Sequence, residues 1–111
     1  MHSDHCHHNR ESELEDELAI AEKARSEGDW KHALRHYVDA LAVDAFSEQA
    51  LAAIRRMARE NAVLAELKEN SYFGAQLARA YLLADAGNYE EAAVIVARVD
   101  EVMPHLEAVR L

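Results

Sequence analysis

Apolar residues recur every three to four positions along most of the chain, which is the spacing of side chains on one face of an α-helix. The first stripe of such residues consists of Leu14, Leu18, Ala21 and Ala24. Ser12 precedes this stripe and is followed three residues later by Glu15. That pair has the sequence of a capping box, so the first helix is predicted to begin at Ser12. Gly28 is predicted to end it, because glycine readily adopts the left-handed conformation that follows many helices.

Four more stripes follow, and each comes after a residue that caps helices well. The predicted N-cap residues are Asp29, Ser47, Ser71 and Asn88. Gly87 and Pro104 are predicted to end helices, since glycine favours the left-handed conformation and proline lacks the amide hydrogen. Residues 62–69 are helical in composition, and they either form a short helix of their own or continue the third helix beyond Asn61. The pattern therefore predicts five to six helices.

The composition supports an all-α fold. Of 111 residues only three are glycine and one is proline, and long stretches rich in Ala, Leu, Glu and Arg favour helix. This length suits one helical domain, which we expect to span residues 10–111. Residues 1–9, with the sequence MHSDHCHHN, are polar and carry no apolar stripe. They are predicted to form a disordered, His-rich tail.

Two segments of the chain, 28–44 and 87–103, are similar to each other. Each starts with a glycine, a polar capping residue and an aromatic residue, and each has alanine five residues after the glycine. The region from Leu14 to Ser47 resembles one complete tetratricopeptide repeat, a helix–turn–helix unit of about 34 residues. The matching positions are Ile20, Ala21, Ala24, Gly28, Trp30, Ala33, Tyr37 and Ala40. A second copy is recognisable at Tyr81, Gly87, Tyr89, Ala92, Val96, Val99 and Pro104. The unit between the copies matches only in its first helix.

The resemblance implies antiparallel helix hairpins stacked as a short right-handed solenoid. It also implies a concave groove lined by the first helix of each pair. The polar side chains that the register places there are Arg25, Gln49, Arg56, Arg59 and Arg79. Guanidinium groups pair well with carboxylates. The leading hypothesis is therefore a protein-interaction module, an adaptor or a chaperone-like holder, that binds an acidic segment of a protein or peptide partner. The alternative for these arginines is pairing with nearby acidic residues on a solvated face.

The charge and hydropathy of the chain disfavour several classes of partner. The formal net charge is −9, which argues against nucleic acids and anionic membranes because both attract Lys and Arg. No apolar run approaches the ~20 residues of a membrane span, and the N-terminus lacks the apolar core of a secretory signal. Cys6 is the only cysteine, so no disulfide can form within the chain. A cytoplasmic protein is expected.

Four histidines surround the single cysteine near the N-terminus. The residues of this cluster are His2, His5, Cys6, His7 and His8. Imidazole and thiolate are ligands for zinc, nickel or copper, so the alternative function is a metal-binding or metal-responsive accessory protein that uses this tail. The spacing matches no defined zinc module, and a tail without function is the other interpretation. No further cofactor is expected.

A second pair of histidines, His32 and His36, lies on one face of the second predicted helix because the two are four residues apart. Such a pair binds zinc in metalloproteases, but the glutamate that accompanies it there is missing. With Asp29 and Asp39 on the same stripe, a solvated polar face is expected. No arrangement of nucleophile and base is recognisable, so the protein is not expected to be an enzyme.

Self-association is a third hypothesis, because a short stack of repeats leaves apolar ends and a homo-oligomer would cover them. The aromatic residues that such a seam would use are Trp30, Tyr37, Phe46, Tyr72 and Phe73. Most of these are expected to lie in the core instead.

Overall fold

The computed structural model describes the backbone of residues 5–102 and the side chains of residues 11–101, and within these limits it is all-α, as predicted. The six helices are α1 (His5–Ser26), α2 (Trp30–Val43), α3 (Glu48–Glu60), α4 (Val63–Lys68), α5 (Phe73–Asp85) and α6 (Tyr89–Val102). In this part of the chain, no helix combines the length and the apolar character needed to cross a membrane.

The start of the first helix differs from the prediction. Helix α1 begins at His5, whereas the capping-box pattern places the start at Ser12. The residues before Ser12 include no proline or glycine, so nothing in the backbone chemistry stops the helix from extending past that pattern. Residues 5–9 of the predicted disordered tail therefore belong to α1, and residues 1–4 lie outside the described part of the chain.

Local capping chemistry explains most of the other helix boundaries. The Asp29 carboxylate accepts a hydrogen bond from the His32 N–H at 3.2 Å, and the Ser47 hydroxyl accepts one from the Ala50 N–H at 3.3 Å. Gly28 and Gly87 adopt φ angles of +84° and +88°, the left-handed conformation that ends α1 and α5. These four predictions from the sequence are confirmed.

The segment between α3 and α5 shows which form residues 62–69 take and corrects the predicted start of α5. Residues 63–68 form a separate short helix, because α3 ends before Asn61, where the backbone is extended (φ −138°, ψ 158°) and the side-chain amide donates to the Met57 carbonyl at 3.3 Å. Ser71 does not cap α5, which begins at Phe73. The Asn70 side chain accepts from the Tyr72 N–H at 2.9 Å instead. An Asn side chain can turn the backbone in this way two residues ahead, so the loop is closed without a serine cap.

Two antiparallel hairpins, α1–α2 and α5–α6, form the ends of the fold, as the helix-hairpin prediction requires. Helix α2 also packs on α3 and α5, and α4 packs on α5 with Val63 and Leu67 buried. The largest fully buried side chains are Tyr37, Leu41, Ile54, Val63, Leu67 and Leu77. The right-handed solenoid that accompanies the family resemblance stays a prediction.

The contact between the two hairpins depends on Gly74, a buried residue inside α5. A Cβ atom at this position would lie 2.6 Å from the Val38 carbonyl oxygen of α2. Only a residue without a side chain allows the two helix backbones to approach this closely. The sequence contains no local sign of this role, because the neighbouring backbone comes from a distant part of the chain.

Candidate functional site

An open groove lies where α3, α4 and α5 meet, with a cavity of about 640 Å³. Helix α4 has only six residues, so it covers part of the surface between the two longer helices. The residues that line the groove are Arg55, Ala58, Arg59, Asn61, Ala62, Val63, Leu64, Ala65, Leu82, Asp85 and Ala86. Its floor is therefore made of small and aliphatic side chains, and its charged groups come from α3 and the end of α5.

The two arginines of the groove have different surroundings. Arg55 binds Asp85 through two hydrogen bonds, from Nε at 2.7 Å and from Nη2 at 3.2 Å, and so links α3 to α5. Both side chains are exposed, so this pair contributes less than about 1 kcal/mol to stability. Arg59 lies one helical turn later and is exposed, and among the described side chains no carboxylate forms an ion pair with it. Its donors are therefore available to a group that enters the groove.

The structure distributes the five predicted groove residues over several surfaces. Arg59 lines the groove, and Gln49 is exposed in the first turn of α3, at the other end of that helix. Arg79 is half-buried and binds Glu91 of α6 at 3.0 Å. Arg25 binds Glu22 of its own helix at 2.6 Å, and Arg56 is exposed on α3. The pairing expected on a solvated face thus holds for Arg25 and Arg79.

Glu22 is the centre of a polar cluster between α1 and α2. The buried Tyr37 hydroxyl donates a hydrogen bond to Glu22, and Arg25 donates another. These two bonds, in that order, lower the pKa of Glu22, and the charges of Arg25 and Arg56 lower it further. Burial, followed by the hydrogen bond to Glu22, raises the pKa of Tyr37 to about 12. The cluster holds the first hairpin together, so its groups are already engaged within the fold.

His32 and His36, one helical turn apart on α2, form a second polar cluster. The His36 ring lies against α1, where its Nδ1 is 2.6 Å from Glu17 Oε1, and its side chain is only 19% exposed. Its Nε2 lies 3.1 Å from Nε2 of His32, whose side chain is 46% exposed. The expectation of a solvated polar face is therefore wrong for His36, because α1 covers it.

Carboxylates surround this histidine pair. Asp39 Oδ2 lies 3.9 Å from His36 Nδ1, and Asp29 Oδ2 lies 3.8 Å from His32 Nδ1. Three potential ligand atoms, one from each of Glu17, His36 and Asp39, lie within 4.8 Å of one another. Burial, and then the neighbouring Glu17 charge, raise the pKa of Asp39. The sequence showed the spacing of the histidines along α2 but could not show that Glu17 of α1 would face them.

The predicted N-terminal metal cluster lies outside the side chains that the structure describes. His2 lies outside the described residues. His5, Cys6, His7 and His8 belong to the first turn of α1, and their side chains lie outside the described set. Metal binding by this cluster stays a prediction.

The predicted aromatic seam is divided between the core and the surface. Tyr37 is fully buried, and Trp30 and Phe73 pack against the core. Phe46 and Tyr72 are 51% and 43% exposed. These two are separate exposed rings, and self-association stays a prediction.

Comparisons with known proteins add no relative. No family model matches the chain, and neither the curated proteins nor the solved structures contain a match.

Proposed function

We propose that the protein is an interaction module that binds a segment of a partner protein in the groove between α3, α4 and α5. The observation that carries the proposal is the position of Arg59 beside an aliphatic floor, without an ion pair among the described side chains. A guanidinium next to apolar surface suits a segment in which a carboxylate side chain neighbours an aliphatic one.

The energies involved favour a reversible complex. Burying one aliphatic side chain on the floor contributes about 1.5–3 kcal/mol. A charge-assisted hydrogen bond to Arg59 contributes about 1.5–3 kcal/mol more. These two contacts together supply about 3–6 kcal/mol. Because association itself costs several kcal/mol, a micromolar complex, at about −8 kcal/mol, requires further contacts of the segment along the groove.

The two hairpins, α1–α2 and α5–α6, support a relationship to the tetratricopeptide repeats, which we include in the proposal. Gly28 and Gly87 end the first helix of each hairpin in the same conformation. The binding groove of the proposal is nevertheless formed by the irregular middle unit together with α5. In this interpretation the protein is a cytoplasmic, non-catalytic adaptor, and its specificity comes from the departure from the repeat.

The test is a selection of random peptides of about 12 residues, displayed on phage, against the intact protein. We expect the selected peptides to share an acidic residue beside a Leu, Ile or Val. Their affinity should fall at least about tenfold in the Arg59→Glu variant, because a charge-assisted hydrogen bond becomes a repulsion.

Arg98→Glu is the matched control, since Arg98 is exposed on α6 and does not line the groove. Nuclear magnetic resonance of the labelled protein should place the peptide-induced shifts on α3, α4 and α5. Peptides that bind both variants equally well, or a selection with no acidic preference, would refute the proposal.

A further inference from the structure

We propose that His32 and His36 bind one transition-metal ion through Nε2 of both rings, with Glu17 as a positioning residue. The chemical class is a borderline divalent cation such as Zn²⁺, Ni²⁺ or Cu²⁺, with water completing the coordination shell. This site lies on the α1–α2 hairpin and uses none of the residues that line the peptide groove.

The first argument is the separation of the two ring nitrogens. The Nε2 atoms of His32 and His36 lie 3.1 Å apart. With metal–nitrogen bonds of about 2.0–2.1 Å, two imidazole ligands of one ion have nitrogens roughly 3.0–3.4 Å apart. The rings, whose centroids are 4.8 Å apart at an interplanar angle of 60°, already have their Nε2 atoms at chelating separation. Because both residues belong to α2, the helix itself maintains this spacing.

The second argument is the carboxylate that is hydrogen-bonded to the His36 ring. His36 Nδ1 lies 2.6 Å from Glu17 Oε1, a distance at which the ring N–H donates to the carboxylate. That hydrogen bond keeps the proton on Nδ1 and leaves the Nε2 lone pair directed at His32. Asp29 Oδ2 lies 3.8 Å from Nδ1 of His32, beyond hydrogen-bond distance, so the carboxylate partner that the structure shows is the one on His36. Metal-binding histidines commonly have such a partner, which orients the ring and makes the ligand more basic.

The third argument concerns what lies between the rings, because the contact between the two Nε2 atoms needs either a proton on one of them or a metal ion. If both histidines carry their proton on Nδ1, the two Nε2 lone pairs face each other across 3.1 Å and repel. A proton shared between the nitrogens removes the repulsion, and so does a metal ion bound to both.

The charges around the pair favour a positive ion. Glu17 lies near the pair on α1, Asp39 on α2, and Asp29 at the N-cap before α2. Arg35 of α2 lies close enough to lower the pKa of Asp39, and it offsets part of this negative charge. Tyr72, before α5, also lies close to Asp39 and Glu17, whose charges, after burial, raise its pKa. Since the tyrosine is neutral at physiological pH, carboxylates dominate the site.

The test uses the full chain with every other histidine and the cysteine changed to alanine, so that His32 and His36 are the only imidazole ligands left and no thiol remains. The replaced residues are His2, His5, Cys6, His7, His8 and His105. Titration calorimetry with Zn²⁺, Ni²⁺ and Cu²⁺ should show one ion per chain. We expect His32→Gln and His36→Gln each to weaken binding at least about tenfold, because a chelate becomes a single ligand.

The role of Glu17 is tested by Glu17→Gln, which should weaken binding by about 10–100-fold. Glu13→Gln removes the same charge one turn earlier on α1, where the side chain is exposed, and should leave the affinity unchanged. Nitrogen-15 resonance of the rings should show ligation at Nε2 with the proton retained on Nδ1. Circular dichroism checks that each variant is folded, and His32→Gln, at an exposed position, serves as the second variant if His36→Gln disturbs the hairpin.

Three results would overturn the inference. The first is the absence of binding below millimolar metal in the chain that retains only His32 and His36. The second is equal affinity in the Glu17→Gln and Glu13→Gln variants, which would remove Glu17 from the site. The third is ligation at Nδ1, which would place the ion beside Glu17 and Asp39 instead of between the histidines.

Discussion

Replacing Gly74 with alanine tests whether the two hairpins meet through a direct approach of their backbones. By helix propensity alone, this change inside α5 should stabilise the protein by about 0.5–1 kcal/mol. The structure predicts instead that the substitution destabilises the protein. The new Cβ would lie 2.6 Å from the Val38 carbonyl oxygen, whereas ordinary contact begins near 3.4 Å.

The magnitude follows from what has to move. Because the oxygen belongs to the backbone of α2, a side-chain rotation cannot relieve the contact, and the two helices must separate. Overpacking of this kind costs roughly 1–3 kcal/mol. After the gain in helix propensity is subtracted, the middle of these ranges gives a net loss of about 1 kcal/mol in the free energy of unfolding. For a domain of this size that corresponds to a fall in Tm of roughly 4–8 °C.

Thermal and urea unfolding, followed by far-UV circular dichroism, measure this loss. Ala97→Gly on the exposed face of α6 is a control for propensity and should cost about 1 kcal/mol. The double variant Gly74→Ala with Val38→Ala distinguishes the clash with the Val38 carbonyl from the clash with the Val38 side chain. The Cγ1 atom of that side chain would lie 3.2 Å from the new Cβ. We expect a coupling energy below about 0.5 kcal/mol between the two changes. A higher Tm for Gly74→Ala, or nearly full rescue by Val38→Ala, would refute the reasoning.

Three further substitutions test other contacts. Tyr37→Phe should cost about 1.5 kcal/mol near neutral pH, because the hydroxyl loses its bond to a charged Glu22. The folded pKa of Glu22 is lowered, so its stabilisation is full above the unfolded value near 4.5 and is lost as pH falls through the folded pKa. Urea unfolding should therefore show that the difference in stability between Tyr37→Phe and the parent narrows as the pH falls below that unfolded value, and a difference independent of pH would contradict the role of Glu22. Tyr81→Phe should cost about 1 kcal/mol in urea unfolding, since it removes the 3.1 Å bond to the Ala45 carbonyl, and an unchanged midpoint would exclude this bond as a stabilising contact. Gly87→Ala should cost about 1–2 kcal/mol by thermal unfolding because φ there is +88°, and a stabilised variant would show that the turn relaxes without strain.

Capping residues show how much of the fold can be predicted from short windows of sequence. Asp29 and Ser47 cap helices whose amides lie three residues away, and Gly28 and Gly87 end helices through their own φ angles. In each case the interacting groups are close in sequence, so the pattern contains both partners. The same logic failed at Ser12, because a capping pattern allows a helix to start but does not oblige it to.

At both candidate sites, the sequence predicted some of the residues but not the residues that contact them from other helices. Arg59 was expected in a groove, but the register from the repeat placed it beside Arg25 and Arg79, which bind Glu22 and Glu91 instead. The short helix α4 creates a different groove, and its formation depends on how α3 ends. His32 and His36 were visible as a pair, whereas Glu17 came into the site only through the packing of α1 on α2.

By itself, then, the sequence determined the helical class, the main helix boundaries and the hairpins, because those depend on hydrogen bonds and apolar spacing within a few residues. Only the tertiary structure decided that α5 contacts α2 at Gly74, that α4 borders a groove with Arg59, and that a carboxylate stands behind His36. The physical reason is that these features depend on the rotation and separation of whole helices. Both are set by the packing of the core as a unit, and no short stretch of the chain encodes them.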